Sequence, residues 1–506
     1  MMQIPTIGQY GNNRSEERFD VAAWLTLAGI SLYILVSDNL LVSRGIPYNA
    51  PGGPGWSKLH PGTYLIVMAF LWVFLTRNPM RFLSEMFHKH TSILMFGMAS
   101  LGTLIYSTVR FGAGGNGFLI DTLIVPSLLG LLLLSQPRHV QEKAVTLTVF
   151  LLAINAVIGL GESILQERMV PYLAGDEPLI EEIFRSTALG GHPLTNALRT
   201  SVAFFTVLAV YKPPWRTFLL GLFALALLAF GSRTALVVVI GLGGLWGVWS
   251  VIKGMASKKI KGYVILLLAI WAILTPIIGG VAIVKFRLGE RIFQEFTWDE
   301  SANSRILAFK LFDHIKTDTF ITGVGPVELE HIVDRLRVST ALNDIENVWY
   351  LLLAEFGAVA FLFLIWSMMA MMLRFSKESP AALKMTILTF LVMISSSNSL
   401  AVKSQNLAIF MVLVIGARAA LGIRMPGLSD TKGETFTVSY KMSIQQMWQQ
   451  PRPGKTVNSG VAVTTEEGTQ PSPVYASGSS HDRTPSSPSL TSMGFTDWRA
   501  NVRGDR

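Results

Sequence analysis

The stretch WRTFLLGLFALALLAFGSRTALVVVIGLGGLWGVWS, from Trp215 to Ser250, is apolar except for one polar break, Gly231-Ser232-Arg233-Thr234. As a single helix at about 1.5 Å per residue it would be roughly 54 Å long, nearly twice the apolar core of a bilayer. The chain must therefore cross, turn tightly and cross back, with Arg233 in the turn at one membrane face. A charged side chain near hydrocarbon costs about 2.5 to 3.5 kcal/mol on insertion scales, so this arginine either snorkels outward or meets an anion.

The rest of the chain has the same character. Half of its 506 residues are hydrophobic and only 15% are charged, with a mean hydropathy of +0.45. That composition describes an all-α polytopic membrane protein. The net charge of +9 does not point to nucleic acid, because the basic residues lie in short loops between apolar runs, where they orient a chain in the membrane. There is no cysteine, which excludes disulfides, thiolate metal sites and cysteine nucleophiles. Residues 1–20 are polar, without a small-residue cleavage site, and read as a cytoplasmic lead.

Run length gives about twelve spans within residues 21–422. They start near Val21, Gly62, Ser92, Phe118, Ala144, Ala197, Trp215, Thr234, Tyr263, Val348, Ala382 and Gln405. Alternate connections carry basic clusters, among them Arg77, Arg81 and Lys89, then Arg138 and Lys143. The positive-inside rule puts these clusters and both termini in the cytoplasm. Two outside loops are long, about 163–196 and 285–347, and long loops in a compact protein are usually functional. In the second, Ile306, Phe309, Phe312 and Ile315 have the spacing of an amphipathic helix. Residues 423–506 are rich in Ser, Thr, Pro, Gly and Gln, and read as a disordered cytoplasmic tail.

Three arginines, Arg185, Arg233 and Arg305, map to the outside face, where the positive-inside rule gives no reason for them. Taken singly, each is a snorkelling or solvated side chain. Together they form what a pyrophosphate site needs, because guanidinium groups pair bidentately with phosphate oxygens and offset charge on a leaving phosphate. Arg185 is followed by Gly190-Gly191-His192-Pro193 at the head of the sixth span. Asp121 and Glu162, near span ends, are either ligands for sugar hydroxyls or interhelical hydrogen-bonding groups. Neither a glycine-rich nucleotide loop nor paired histidines at metal spacing occur, so no cofactor or metal is expected.

After Arg305 come Thr319-Phe-Ile-Thr-Gly-Val-Gly-Pro326, then Glu346-Asn347-Val348-Trp349-Tyr350-Leu351 opening a span, and Ala354-Glu355-Phe356-Gly357 within it. This order resembles the O-antigen ligase and O-antigen polymerase family of bacterial membrane glycosyltransferases. Gly231-Ser232-Arg233 is similar to that family's Ser-Arg element, and Arg185 with Gly191-His192-Pro193 to its arginine and Gly-His-Pro segment. The likeness covers about residues 145–420. It departs at Glu346, where many members carry histidine before the asparagine. That substitution favours polymerase over ligase activity.

The resemblance implies transfer of a glycan from undecaprenyl pyrophosphate to an acceptor hydroxyl at the periplasmic face of the bacterial inner membrane. It needs no nucleotide sugar. On this reading Glu346 is the general base and Arg305 is catalytic, with Arg185, Arg233 and Arg305 binding pyrophosphate. His192, Asn347 and Tyr350 then contact the acceptor or sugar. The plainer reading of Glu346 is a helix N-terminal acid opposing the dipole, worth about 0.3 to 1 kcal/mol. Partners on this reading are the lipid-linked glycan, membrane lipids, and a chain-length regulator or export machinery. A ligase acting on lipid A core differs only in acceptor. A lipid-linked glycan flippase would need polar lining deep within several spans.

Overall fold

The computed structural model describes residues 20–49, 54–174, 177–178, 183–257, 280, 308–340 and 345–423. Residues 1–19 of the lead, the span expected near Tyr263, Arg305 and the tail beyond residue 423 lie outside the described residues.

The described chain is helical. Its elements are α1 (Val21–Leu35), α2 (Asp38–Ser43), α3 (Pro61–Thr76), α4 (Pro79–Lys89), α5 (Thr91–Phe111), α6 (Val125–Ser135) and α7 (Arg138–Leu165). These are followed by α8 (Pro193–Val210), α9 (Trp215–Phe230), α10 (Arg233–Ala256), α11 (Thr317–Thr322), α12 (Pro326–Thr340), α13 (Val348–Ser376), α14 (Ala381–Ser395) and α15 (Asn406–Ala420). A π turn, Leu119–Ile124, runs into α6. Among the described residues the strand content is one two-residue antiparallel pair in the first long loop, Leu173–Ala174 against Glu177–Pro178.

The Trp215–Ser250 stretch folds as its length requires, into α9 and α10. Two residues make the turn. Gly231, at φ +64°, takes the left-handed conformation that ends α9, and its N–H bonds to Leu227 O and Leu228 O. Ser232 follows at once as the N-cap of α10, its hydroxyl accepting from Ala235 N. A helix stop and a helix start are thus fused, and Arg233 becomes the first residue of α10.

Among the described residues five helices are long and apolar enough to cross a membrane: α5, α7, α8, α10 and α13. The pair α3 and α4, bent by 114°, makes a sixth candidate. The others are α1, Leu119–Ser135, α9, α14 and α15, which are apolar but only 10–17 residues long. At about 1.5 Å per residue all of these fall short of a core of about 30 Å. Among the described residues, helix starts agree with those expected to within a residue or two, except that α7 begins at Arg138 and not at Ala144, and α8 at Pro193 and not at Ala197. The first turns of α7 therefore carry Arg138, Glu142 and Lys143 on helical backbone.

Large apolar side chains face outward along the long helices, including Val237, Ile240, Leu245 and Trp249 on α10 and Val359, Leu362 and Trp366 on α13. A belt of this kind suits hydrocarbon and is costly in water. In the middle runs α15, buried from Asn406 to Ala419. A helix that is buried all round belongs at the centre of a bundle.

Connections gather at two ends. At one, Asn39 Nδ2 donates to Gly191 O, Lys403 Nζ to Tyr48 O and Val348 N to Ser397 O, joining four loops. At the other, Arg77, Lys89, Arg138 and Arg418 surround one cavity. In its described part the second long loop, expected to form one amphipathic helix around Ile306–Ile315, has a 3-10 helix at Ala308–His314 followed by α11 and α12, while Ile306 lies outside the described residues. Leu311, Leu329, Ile332, Leu336, Ile345 and Ala354 give it a small core of its own.

Candidate functional site

The first long loop is ordered by one carboxylate. Glu162, buried at the end of α7, accepts from Ser186 Oγ (2.6 Å), Thr187 N (2.9 Å) and Ala188 N (2.8 Å) through Oε2, and from Met169 N (2.6 Å) through Oε1. Residues 186–191 lie buried without a helix or strand to satisfy their N–H groups, so a carboxylate takes the place of backbone carbonyls. Asn155 extends the arrangement, accepting from Leu189 N (2.9 Å) and donating to Asn196 Oδ1 (3.1 Å). Asn196 in turn donates to Thr187 O. Both Glu162 and Asn155 are positioning residues for the loop that carries Arg185 and His192.

At one end of this loop Arg185 packs on the α9–α10 turn. A Cβ placed on Gly231 would lie 3.3 Å from Arg185 Cγ and Cδ, and Ser186 N donates to Ala229 O. The sequence-predicted Arg185 and the Gly231-Ser232-Arg233 element are therefore neighbours. Arg168 joins them: its Nε donates to Arg185 O (3.1 Å), and its guanidinium lies 5.5 Å from the Tyr172 ring and 4.9 Å from that of Phe184. The Arg185 guanidinium lies 5.9 Å from the same Tyr172 ring. Sequence reasoning overlooked Arg168 and Tyr172; an arginine directly after the long apolar run of α7 was the available signal.

At the other end, His192 caps α8. Its Nδ1 accepts from Leu194 N (3.1 Å), and Pro193 fills the first helical position. Burial first, and then the Arg185 charge, push the imidazole down to about 4, so it is neutral at neutral pH. With Nδ1 accepting, the proton sits on Nε2 and points to the Tyr172 hydroxyl, 3.2 Å away. The same device recurs at α3, where His60 Nδ1 accepts from Gly62 N (3.0 Å) and Nε2 donates to Val36 O (2.8 Å). In both cases a His-Pro pair starts a helix at the same end of the bundle.

A small cavity of about 80 Å³ lies beside His192, between Asp38 and the turn Ser397–Ser404, with Lys403 in its wall. Burial pushes the Asp38 carboxyl up and the Lys403 ammonium down. Below it, the buried Arg199 of α8 donates to Asn406 Oδ1 (2.9 Å) and Gln405 Oε1 (3.3 Å). Asp121 is fully buried and saturated, accepting from Tyr48 Oη (2.7 Å), Thr63 Oγ1 (2.7 Å) and His60 N (3.0 Å). Its lone pairs thus tie helix starts together.

The Glu346 segment abuts this cavity through the bond from Val348 N to Ser397 O (3.0 Å). Asn347 is the N-cap of α13, its Oδ1 accepting from Trp349 N (3.0 Å) and Tyr350 N (3.3 Å). Tyr350 lies 4.9 Å from Phe309 and 5.6 Å from Phe312, ring centre to ring centre, and so holds the second loop onto α13. Glu346 is half-buried just before the cap. Arg305 lies outside the described residues.

One end of the bundle therefore carries Arg168, Arg185 and Arg233, a neutral histidine, and a carboxylate at a helix start. Guanidinium groups there can meet phosphate oxygens, and a carboxylate can accept a hydroxyl proton. Among the described residues no three His, Asp or Glu side chains cluster as metal ligands. No known protein family and no curated protein matches the chain.

Proposed function

We propose that this chain is a twelve-span glycosyltransferase of the bacterial inner membrane, with both termini cytoplasmic and the loop-rich end in the periplasm. Its reaction is the polymerisation of oligosaccharide repeat units carried on undecaprenyl pyrophosphate, in capsule, exopolysaccharide or O-antigen synthesis. The observation that supports this most is the packing of Arg185 on Gly231, which brings two arginine-bearing elements together at the end opposite the basic loops. The order of motifs from Arg185 to Gly357 is the second support.

In the proposed step, an acceptor sugar hydroxyl attacks the anomeric carbon of the donor glycan. The bond from that carbon to the pyrophosphate oxygen breaks, and the polyprenyl pyrophosphate leaves with the electron pair. Glu346 takes the acceptor proton. Arg185, Arg233 and Arg305 offset the charge on the leaving group, a role in which removing one donor typically costs about 100-fold or more. His192, neutral and fixed between Tyr172 and Leu194 N, helps to shape the acceptor side. Asn347 and Tyr350 support Glu346 by holding the start of α13.

The test is reconstitution of the purified chain in liposomes with a polyprenyl-pyrophosphate-linked repeat unit, read as a ladder on a gel. The intact protein should build a ladder without nucleotide or metal, and Arg185→Ala should not. A ladder of equal length and rate from Arg185→Ala would remove the arginine pair from the reaction.

A further inference from the structure

The opposite end of the bundle holds a cavity of about 480 Å³ that the proposed reaction does not use. Its wall comes from the ends of α3, α4, α6, α7 and α15, and contains Arg77, Lys89, His90, Arg138 and Arg418 against one acid, Glu85. This volume is within the usual range of ligand pockets, about 300 to 1,000 Å³. Four permanent cations facing one carboxylate leave a site suited to an anion.

The cations are held in different ways. Arg418 is 2% exposed, and its Nη1 donates to Phe375 O (2.8 Å), Lys377 O (2.9 Å) and Ser379 Oγ (2.7 Å), so it is a fixed positive charge in the wall. Lys89 sits 3.6 Å from Glu85, and Arg138 2.7 Å from Glu142, both across one helical turn at partly exposed positions where such pairs are weak. The half-buried Arg77, at the C-cap of α3, has no hydrogen bond or ion pair from its side chain among the described residues. An arginine without a partner in a cationic cavity adds electrostatic cost unless an anion joins it.

The surroundings indicate which anion. Between α3 and α4 the chain bends by 114°, so α4 leaves the direction of the spans and crosses the helix ends. It buries Phe82 and Met86, while Met80 (79%), Leu83 (37%) and Phe87 (57%) stay exposed beside Arg81 and Lys89. An exposed apolar row next to basic residues is the pattern of a helix lying in the membrane interface. Basic pockets between spans at that level suit phospholipid headgroups.

We propose that this cavity binds the phosphate of an anionic phospholipid, with Arg77, Lys89 and Arg138 meeting its oxygens and the apolar row of α4 lying along its acyl chains. A soluble phosphate would use the same cations but not α4. The proposal is independent of the glycosyltransferase reading.

The test uses the full chain, delipidated in neutral detergent, with its thermal unfolding midpoint followed against added phosphatidylglycerol, phosphatidylcholine or inorganic phosphate. Phosphatidylglycerol should raise the midpoint, and phosphatidylcholine should not. In Arg77→Gln the phosphatidylglycerol needed for half the effect should rise roughly fivefold, and further in Arg77→Gln with Arg138→Gln, while Lys253→Gln, outside the cavity, should not change it. Because the Arg77 side chain makes no hydrogen bond or ion pair among the described residues, the single variant should fold even if the double one does not. An unchanged titration in Arg77→Gln, or an equal response to phosphatidylcholine, would overturn the proposal. A full response to inorganic phosphate alone would overturn the lipid as its source.

Discussion

Gly323 and Gly357 stand backbone against backbone. A Cβ on Gly323 would lie 2.3 Å from Glu355 O, and one on Gly357 would lie 2.3 Å from Gly323 N. Both have positive φ, +82° and +78°, and Gly357 interrupts the helical path of α13. Val324 N and Gly325 N then donate to Ala354 O and Glu355 O, the carbonyls that the interruption leaves open. The Gly-Val-Gly turn of the second loop and the Glu-Phe-Gly segment of the span are thus one interlock.

Alanine at either glycine should be severely destabilising, by about 2 kcal/mol or more, since it meets both a forbidden φ and a backbone clash. The thermal midpoint of Gly323→Ala or Gly357→Ala in detergent measures this. A midpoint equal to that of the parent protein would show that the interlock does not carry stability.

Glu162 makes a second, chemically different prediction. Glu162→Gln keeps the shape but points an NH₂ at N–H donors, leaving buried groups unsatisfied at about 1 to 3 kcal/mol in total. Stability should fall and the loop 186–191 should become accessible to proteolysis. Rescue by Glu162→Asp is not expected, because the shorter side chain cannot reach Ser186 and Met169 at once.

The two capping histidines set a pH dependence. His192 and His60 both titrate near 4 in the fold, and an unfolded histidine near 6.5. The unfolded chain therefore binds more protons between these values, so stability is fully present above about pH 6.5 and is lost as pH falls toward 4. The thermal midpoint should drop over that window, and His192→Gln should flatten the drop. A profile unchanged by the substitution would mean that His192 is not held neutral.

Much of this was legible in the sequence, and what was not has physical reasons. Run length and the Gly-Ser pair predict α9, α10 and the turn at Arg233, because helix stops and starts are local. Arg185 beside Gly231, or Gly323 against Gly357, are contacts between distant segments, and the sequence shows only that such motifs occur in order. Asp121 and Glu162 read as either sugar ligands or interhelical groups, and in the fold their oxygens are occupied by Tyr48, Thr63, Ser186 and backbone N–H groups. Arg199 stands out in the sequence only as a charge near a span start, because its partners Asn406 and Gln405 are about two hundred residues away.

Arg185→Lys separates charge from geometry. Lysine retains the positive charge but cannot form two parallel bonds to a phosphate, so polymer formation should fall about tenfold or more with the midpoint little changed. Equal activity in the lysine variant would reduce the residue to a general electrostatic role.

Polymerase activity is read from lipid-linked and polymeric glycans in a deletion strain carrying the intact chain or Glu346→Gln. The deletion and the Glu346→Gln strain should both accumulate single repeat units on the carrier at the periplasmic face, and only the intact chain should restore polymer. Polymer of normal length from Glu346→Gln would remove this residue from the reaction. Finished polymer left on the carrier in the deletion strain, or repeat units held at the cytoplasmic face, would contradict polymerase activity altogether.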